Sequence, residues 1–358
     1  MDAPAQVQAT EVGARFLYVA EQGAVLHRAG TRVVVTKKDA TLLHVPATRL
    51  QGVLVYGSVQ VTTACIRNLL AEEVWVSFFS RNGQYRGRLQ PPCERGGRVR
   101  RRQWTQANDP AFCLEFARAI VRGKILAQQR LAEAYAKNRA AESMATGRIH
   151  LRESLERVDS VADLAALRGV EGTASRAYFG LFSNWNTSEL PFRGREKRGT
   201  NDPVNALLNL GYTLMTRELE GLTEAAGLDP TIGFYHAPDD DRPSLACDWV
   251  EEFRHVVVDR LVLTLLNKHM IVPADFEGGE DHRGVRLTME GLKKFLSAYE
   301  LAMRRPPEDD AESAAAGLRS VLLAQLARLL DAIAGRAPYR SHLELPAATI
   351  VEPATAAV

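Results

Sequence analysis

RFLYVAEQGAVLHRAGTRVVVTKKDATLLHVPATRLQGVLVYGS (15–58) decides the first half of the fold. It divides into RFLYVAEQG, AVLHRAG, TRVVVTKK, TLLHVP and RLQGVLVYGS, short runs rich in β-branched and aromatic residues and cut by Gly, Pro or polar turns. Such runs read as strands, because branched and aromatic side chains pack well on a pleated surface. Their close spacing predicts a small β-sandwich or β-roll. VTTACIRNLLAEE (61–73) interrupts with a helical pattern, a Thr N-cap candidate leading Ile66, Leu69 and Leu70 onto one side. VWVSFFS (74–80) resumes strand character, and RNGQYRGRL (81–89) supplies a turn and a last strand.

Beyond this stretch Gly96, Gly97 and an arginine run mark a change of composition, read as a linker over 96–106. Past Trp104 the pattern is helical. NDPAFCLEFARAIVRGKILAQQRLAEAYAKN (108–138) opens on an Asn or Asp cap with Pro110 near the first helical position. Further helices are expected from Ser160, around Glu171, from Asp202 to Ala226, from about Leu245 to Lys268, from Met289 to about Met303, and from about Glu312 to Ala334. A loop rich in Gly and Asp covers 275–284. The predicted class is α+β in two domains: a β domain over 1–95, the linker, a larger all-α domain over 107–338, and a mobile tail over 339–358 that carries two prolines and no periodicity.

A chain of 358 residues exceeds the usual size of one core, and its 46% apolar and 25% charged residues are those of an ordinary globular protein. MDAPAQVQATEVG (1–13) has no basic or apolar leader, and no run approaches the roughly 18 apolar residues of a membrane span. A cytoplasmic protein without membrane contact is expected. Cys65, Cys93, Cys113 and Cys247 form no CxxC pair, so spacing supports neither a zinc site nor a disulfide framework.

The net charge of +2 implies no polyanionic partner by itself, but its distribution is uneven. Arg81, Arg86, Arg88, Arg95, Arg98, Arg100, Arg101 and Arg102 fall in one stretch, and Arg193, Arg195, Lys197 and Arg198 in another. Such clusters can neutralise phosphates; the alternative is a solvated linker and a solvated loop.

HAPDDDRPSLACDWVEEFR (236–254) sets one imidazole a short loop ahead of an acidic helix. Helical spacing puts Asp248, Glu251 and His255 on one face, with Val250, Phe253, Val257 and Leu261 on the stripe that buries it, so the acids are expected to face away from the core. A histidine with several carboxylates suits a divalent ion such as Mn²⁺ or Mg²⁺ working on phosphate. Glu171 precedes Gly172, whose missing side chain leaves space beside the carboxylate; the plainer reading is an early-helix acid that offsets the dipole. Asn205 and Tyr212 are a buried amide and phenol that support packing or position the site. Arg242 and Arg254 either neutralise the acids or contact phosphate.

EGTASRAYF (171–179), NDPVNALLNLGY (201–212) and the 236–254 run, in that order, resemble the CRISPR adaptation integrases, the Cas-one family of metal-dependent DNA nucleases and integrases. The resemblance implies that the helical domain is catalytic. Carried over by motif, the catalytic and metal-binding residues are Glu171, His236 and Glu251, with Asp248 as an accessory acid. Glu252 competes for the ligand role, but the family places its ligand three residues after the first Asp, and Glu252 is rotated by about 100° from Glu251 on a helix. The implied reaction is attack of a DNA 3′-hydroxyl on a phosphodiester at the edge of a CRISPR repeat, using one Mg²⁺ or Mn²⁺. The implied partners are double-stranded DNA (spacer precursor and repeat), a second copy joined through the β domain, and a dimer of the small Cas-two protein. A structure-selective nuclease for branched DNA and a non-catalytic DNA-binding scaffold are the alternatives.

Overall fold

In a computed structural model the described residues are 16–38, 40–81, 83–92, 96–136, 142–196, 201–236, 242–278, 284–304 and 317–344. They fall into two units, one built from residues within 1–92, 274–281 and 285–297, the other from residues within 93–273, 282–284 and 298–358.

Eight strands and one helix make the body of the first unit: β1 (Phe16–Val19), β2 (Val25–Ala29), β3 (Arg32–Lys37), β4 (Ala40–Pro46), β5 (Gly52–Tyr56), β6 (Gln60–Val61), α1 (Thr63–Ala71), β7 (Trp75–Phe79) and β8 (Tyr85–Leu89). They form two four-stranded sheets, ordered β1-β5-β7-β8 and β4-β3-β2-β6. Strict alternation sends Leu17, Val19, Val33, Val35, Val53 and Val55 into one apolar cluster shared by both sheets, with Cys65 and Leu69 of α1. The Thr62 hydroxyl caps α1 by accepting from the Cys65 N–H. Sequence periodicity did not reveal that β1 and β7 both run parallel to β5. Parallel neighbours need a crossover, supplied between β5 and β7 by α1, and β5 is buried along its whole length as a strand covered on both faces must be.

The Gly- and Asp-rich segment expected as a loop carries paired strands β9 (Phe276–Gly278) and β10 (Val285–Leu287) at its ends. They lead into α9 (Met289–Arg304), whose Lys293 lies 3.3 Å from Glu21 within the first unit.

The helical unit corrects three boundaries. The stretch read as a linker is α2 (Gly96–Ala107): arginines and glutamines are good helix formers, and Gln103 is fully buried. α4 (Glu142–Arg157), not anticipated from its sparse apolar spacing, stands between α3 (Pro110–Ala136) and α5 (Leu164–Trp185). The tail is held at its start, because Tyr339 and Ser341 are buried; residues 345–358 lie outside the described residues.

α6 (Pro203–Ala225) begins where expected, with the Asp202 carboxylate accepting from the Asn205 N–H and Pro203 in the first turn. The acidic helix spans the expected residues but is not uniformly α. α7 (Ser244–Arg254) passes through a π turn (His255–Asp259) into α8 (Arg260–Asn267), and α10 (Leu318–Ile333) follows later. α3 runs through the middle of the unit, packed on α4, α5 and α7, with α6 against α7. Among the described residues no helix is long and apolar enough to cross a membrane.

Candidate active site

Three neighbouring helices each contribute one charge to a common point. α3 brings Lys124, only 3% exposed, α5 brings Glu171, and α7 brings Glu251. An ammonium can be buried only where opposite charge replaces its water. Lys124 Nζ is ion-paired with Glu171 Oε1 and lies 2.7 Å from Glu251 Oε2. On the far side of Glu251 the Arg254 guanidinium donates to both carboxylate oxygens, at 2.7 and 2.9 Å. The Tyr235 hydroxyl donates to Glu171 Oε2 at 2.6 Å.

Burial is the largest single influence on Glu171 and raises its pKa, but Lys124 and the Tyr235 hydrogen bond outweigh it and leave the net shift downward despite the repulsion of Glu251. Burial likewise opposes ionisation of Glu251; Arg254, Lys124 and His236 overcome it and hold this carboxyl well below the usual range. Burial pushes the Tyr235 hydroxyl up, and the Glu171 charge adds to it, so Tyr235 stays a donor.

The loop before α7 is wrapped around one carboxylate. Asp248 is fully buried; its Oδ2 accepts from the N–H groups of Phe234 (2.7 Å) and Tyr235 (2.9 Å), and its Oδ1 accepts from the N–H of His236 at 2.7 Å. The same Oδ1 faces His236 Nδ1 at 2.7 Å. Gly233 permits this approach, since a Cβ there would lie 2.8 Å from Asp248 Oδ2 and 2.9 Å from the carbonyl carbon of Ser244. Asp248 thus engages the ring through Nδ1, so that Nε2 is the nitrogen it leaves over, and the ring is 28% exposed. Asp248, expected as an accessory acid, has both oxygens engaged in holding the histidine loop.

Among the described residues no group of three His, Cys, Asp or Glu side chains is gathered as a metal site. Glu171 and Glu251 meet across an ammonium, and His236 is turned by Asp248. The donor chemistry still fits a divalent ion: two ionised carboxylates already share one cation, and a histidine is held by a carboxylate through Nδ1, which leaves its Nε2 over.

The remaining sequence candidates separate cleanly. Glu252 points away from Glu251's cluster, accepting from the N–H of His342 (2.5 Å), the Tyr339 hydroxyl (2.7 Å) and the Gln325 amide (2.9 Å), with His342 Nδ1 at 2.7 Å. The acids do not face away from the core as helical spacing alone suggests; Asp248, Glu251, Glu252 and His255 are all buried, because other helices and the C-terminal segment cover that face. His255 pairs with Asp259 at 2.6 Å through Nδ1, and its Nε2 meets the Gln128 amide at 3.1 Å. Burial lowers the His255 pKa against the pull of Asp259. Asp259 also accepts from the hydroxyls of Tyr178, at 2.7 Å, and Tyr212.

Arg254 is committed to Glu251 and lies 4.4 Å over the Tyr212 ring. Arg195 turns inward to Asn205 (3.0 Å) and Asn209 (2.7 Å), which accounts for the buried Asn205. Arg193 is exposed and Arg242 half-buried at the head of α7, while Lys197 and Arg198 lie outside the described residues. Glu171 stands two turns into α5, beyond reach of a first-turn dipole effect, and Gly172 does leave open space, with no atom within 4 Å of a Cβ built there.

Lys124, Tyr235 and Gln128 were missed. A signal existed on α3, where Ile120, Lys124, Gln128 and Leu131 recur at helical intervals, placing two polar side chains on a stripe otherwise meant for burial.

A family model for CRISPR associated protein Cas1 matches residues 17–301. The CRISPR-associated endonuclease Cas1 3 of Thermus thermophilus is 32% identical over 328 residues, spanning 91% of this chain and 96% of its own. Among solved structures, a casposase bound to integration product superposes with a TM-score of 0.79 at 21% identity, covering 94% of this chain and 95% of that one. A Cas6-RT-Cas1–Cas2 complex contains a chain with a TM-score of 0.78 at 22% identity, covering 96% of this chain and 38% of that one. A β-rich unit followed by a helical unit is the fold these share. The chain belongs to the CRISPR-associated Cas1 family.

Proposed function

We propose that this chain is a divalent-metal-dependent DNA endonuclease and integrase of CRISPR adaptation, and that Glu171, His236 and Glu251 hold a Mg²⁺ or Mn²⁺ ion. The observation that carries the reading is the pair of ionised carboxylates from α5 and α7 facing across one buried positive charge, beside a histidine oriented by Asp248. When bound, the ion supplies Lewis-acid stabilisation of the phosphate and activation of the attacking hydroxyl. Tyr235 holds one oxygen of Glu171, so the carboxylate keeps its orientation while its other oxygen changes partners. Arg254 keeps Glu251 ionised, and Asp248 fixes the His236 ring.

The reaction is transesterification. The 3′-oxygen of a short DNA fragment forms a bond to phosphorus at the edge of a CRISPR repeat as the bond from phosphorus to the repeat's own 3′-oxygen breaks. One phosphodiester replaces another, so the step needs no external energy and runs in reverse as disintegration. With water as the nucleophile the same site is a nuclease. The endonuclease name of the Thermus relative and the integration product held by the casposase support this reading.

The same reading gives the chain a cytoplasmic location, a homodimer and a Cas2 partner. The Cas1–Cas2 pairing named for the related complex supports the last. β4, an edge strand with exposed residues at its start, supports dimerisation through the β unit, since open edges are covered in stable folds.

Strand transfer into a supercoiled repeat plasmid is the test. Glu171→Gln and His236→Ala are expected to abolish Mn²⁺-dependent transfer and cleavage while DNA binding persists. Unchanged activity in both variants would overturn the site, and activity on branched DNA without any transfer would replace integrase by structure-selective nuclease.

A further inference from the structure

We propose that the outward face of α2 binds a single DNA strand, with Arg98, Arg101 and Arg102 on backbone phosphates and Trp104 stacked on an unpaired base. The proposal rests on the DNA reading above and adds where the strand is gripped.

α2 is pinned by its inner side. The amide of buried Gln103 donates to the carbonyls of Asp229 (2.7 Å) and Ile232 (2.8 Å) and accepts from the Asp229 N–H at 2.8 Å. That turn continues within four residues to His236, so the frame that sets α2 also sets the catalytic loop. On the outer side Arg98, Arg100, Arg101 and Arg102 are all exposed, the helix contains no acid, and these side chains enter no ion pair among the described residues. Like charges three and four apart repel on a helix, which leaves this face short of negative charge.

Trp104 is 61% exposed on the same helix, three and four residues after Arg101 and Arg100. It has no large apolar companion on α2, so the face lacks the apolar patch of a protein interface. A flat ring flanked by guanidinium groups matches a single strand, whose bases offer free faces and whose backbone offers regularly spaced charge. Duplex bases are already stacked on each other.

The protein carries its own reporter. Trp75, Trp185 and Trp249 are 4%, 1% and 0% exposed, so iodide quenching of tryptophan emission reads Trp104. A short oligothymidine is expected to shield that emission from iodide more than a blunt duplex of equal length. The shielding should vanish in Trp104→Phe, and Trp104→Ala should weaken single-strand binding about five-fold or more. The triple variant R98A/R101A/R102A should lower the slope of log affinity against log salt by about 2, with cleavage at saturating DNA retained.

If oligothymidine binds but leaves iodide quenching unchanged, and the variants keep the parental affinity and salt slope, the proposal is overturned. Shielding of Trp104 in a protein that cleaves no DNA would retain the surface and sink the catalytic reading. Absence of any DNA binding would sink both. Glu171→Gln should lose cleavage and keep the shielding.

Discussion

Lys124 is buried between Glu171 and Glu251, and each carboxylate tolerates the other only through the lysine that stands between them. Lys124→Met therefore leaves two buried like charges face to face. Breaking a buried ion pair from one side costs about 3 to 5 kcal/mol, and that loss is expected in urea unfolding of the metal-free variant at neutral pH. Mn²⁺ should then raise the melting temperature of the variant more than that of the parent, because the ion replaces the missing charge and no longer competes with the lysine. An equal or smaller shift in the variant would mean that Lys124 and the ion do not share a site. The two adjacent glutamates separate by the same logic. Glu251→Gln should abolish Mn²⁺-dependent cleavage and also lower the melting temperature, because it leaves Lys124 with one carboxylate and Arg254 without its ionic partner. Glu252→Gln presents an amide to the donors of His342, Tyr339 and Gln325, and should cost about 2 kcal/mol while the folded fraction remains active.

At the scale of elements, the C-terminal segment closes over α3 at a position that has no room for a side chain. A Cβ on Gly123 would lie 2.6 Å from the Cβ of Ser341 and 3.3 Å from Cγ of Glu252, so Gly123→Ala is expected to lower the melting temperature by forcing the segment away. Gly172→Ala meets nothing within 4 Å and should gain about 0.5 to 1 kcal/mol from helix propensity. Equal effects from the two changes would contradict this packing. The contrast also marks what a sequence can show. Alternation in residues 15–58 and the capping of α6 are local signals, and they gave the strands and that helix their places. The parallel pairing of β1 with β5, the π turn after Arg254 and the docking of Tyr339 depend on partners remote in the chain. Motif order singled out Glu171, His236 and Glu251 as candidates, and the first and last of these meet around Lys124. Lys124 was not legible, because what makes a lysine belong inside α3 is two carboxylates on other helices.

Over the whole molecule, these burial patterns set how stability responds to acid. Burial lowers the pKa of His255, so the unfolded chain takes up this proton first, starting near the ordinary histidine value of about 6.5. More protons on the unfolded state means that stability is full above that pH and declines as pH falls toward the folded pKa. Glu171 and Glu251 have the same sign at lower pH: their contribution is full above the unfolded carboxylate value of about 4.3 and is lost as pH falls through their depressed folded values. Glu218 works in the opposite direction, since burial raises its pKa in spite of Arg319, which blurs the carboxylate range. The histidine stage is the cleaner one. Between about pH 7 and pH 5 the unfolding free energy should fall by no more than about 1.4 kcal/mol per pH unit from His255. His255→Asn should flatten that interval without altering the decline at lower pH. A parental profile that is flat or rising toward pH 5, measured by urea unfolding at fixed ionic strength, would show that the His255–Asp259 pair carries its proton in the folded protein.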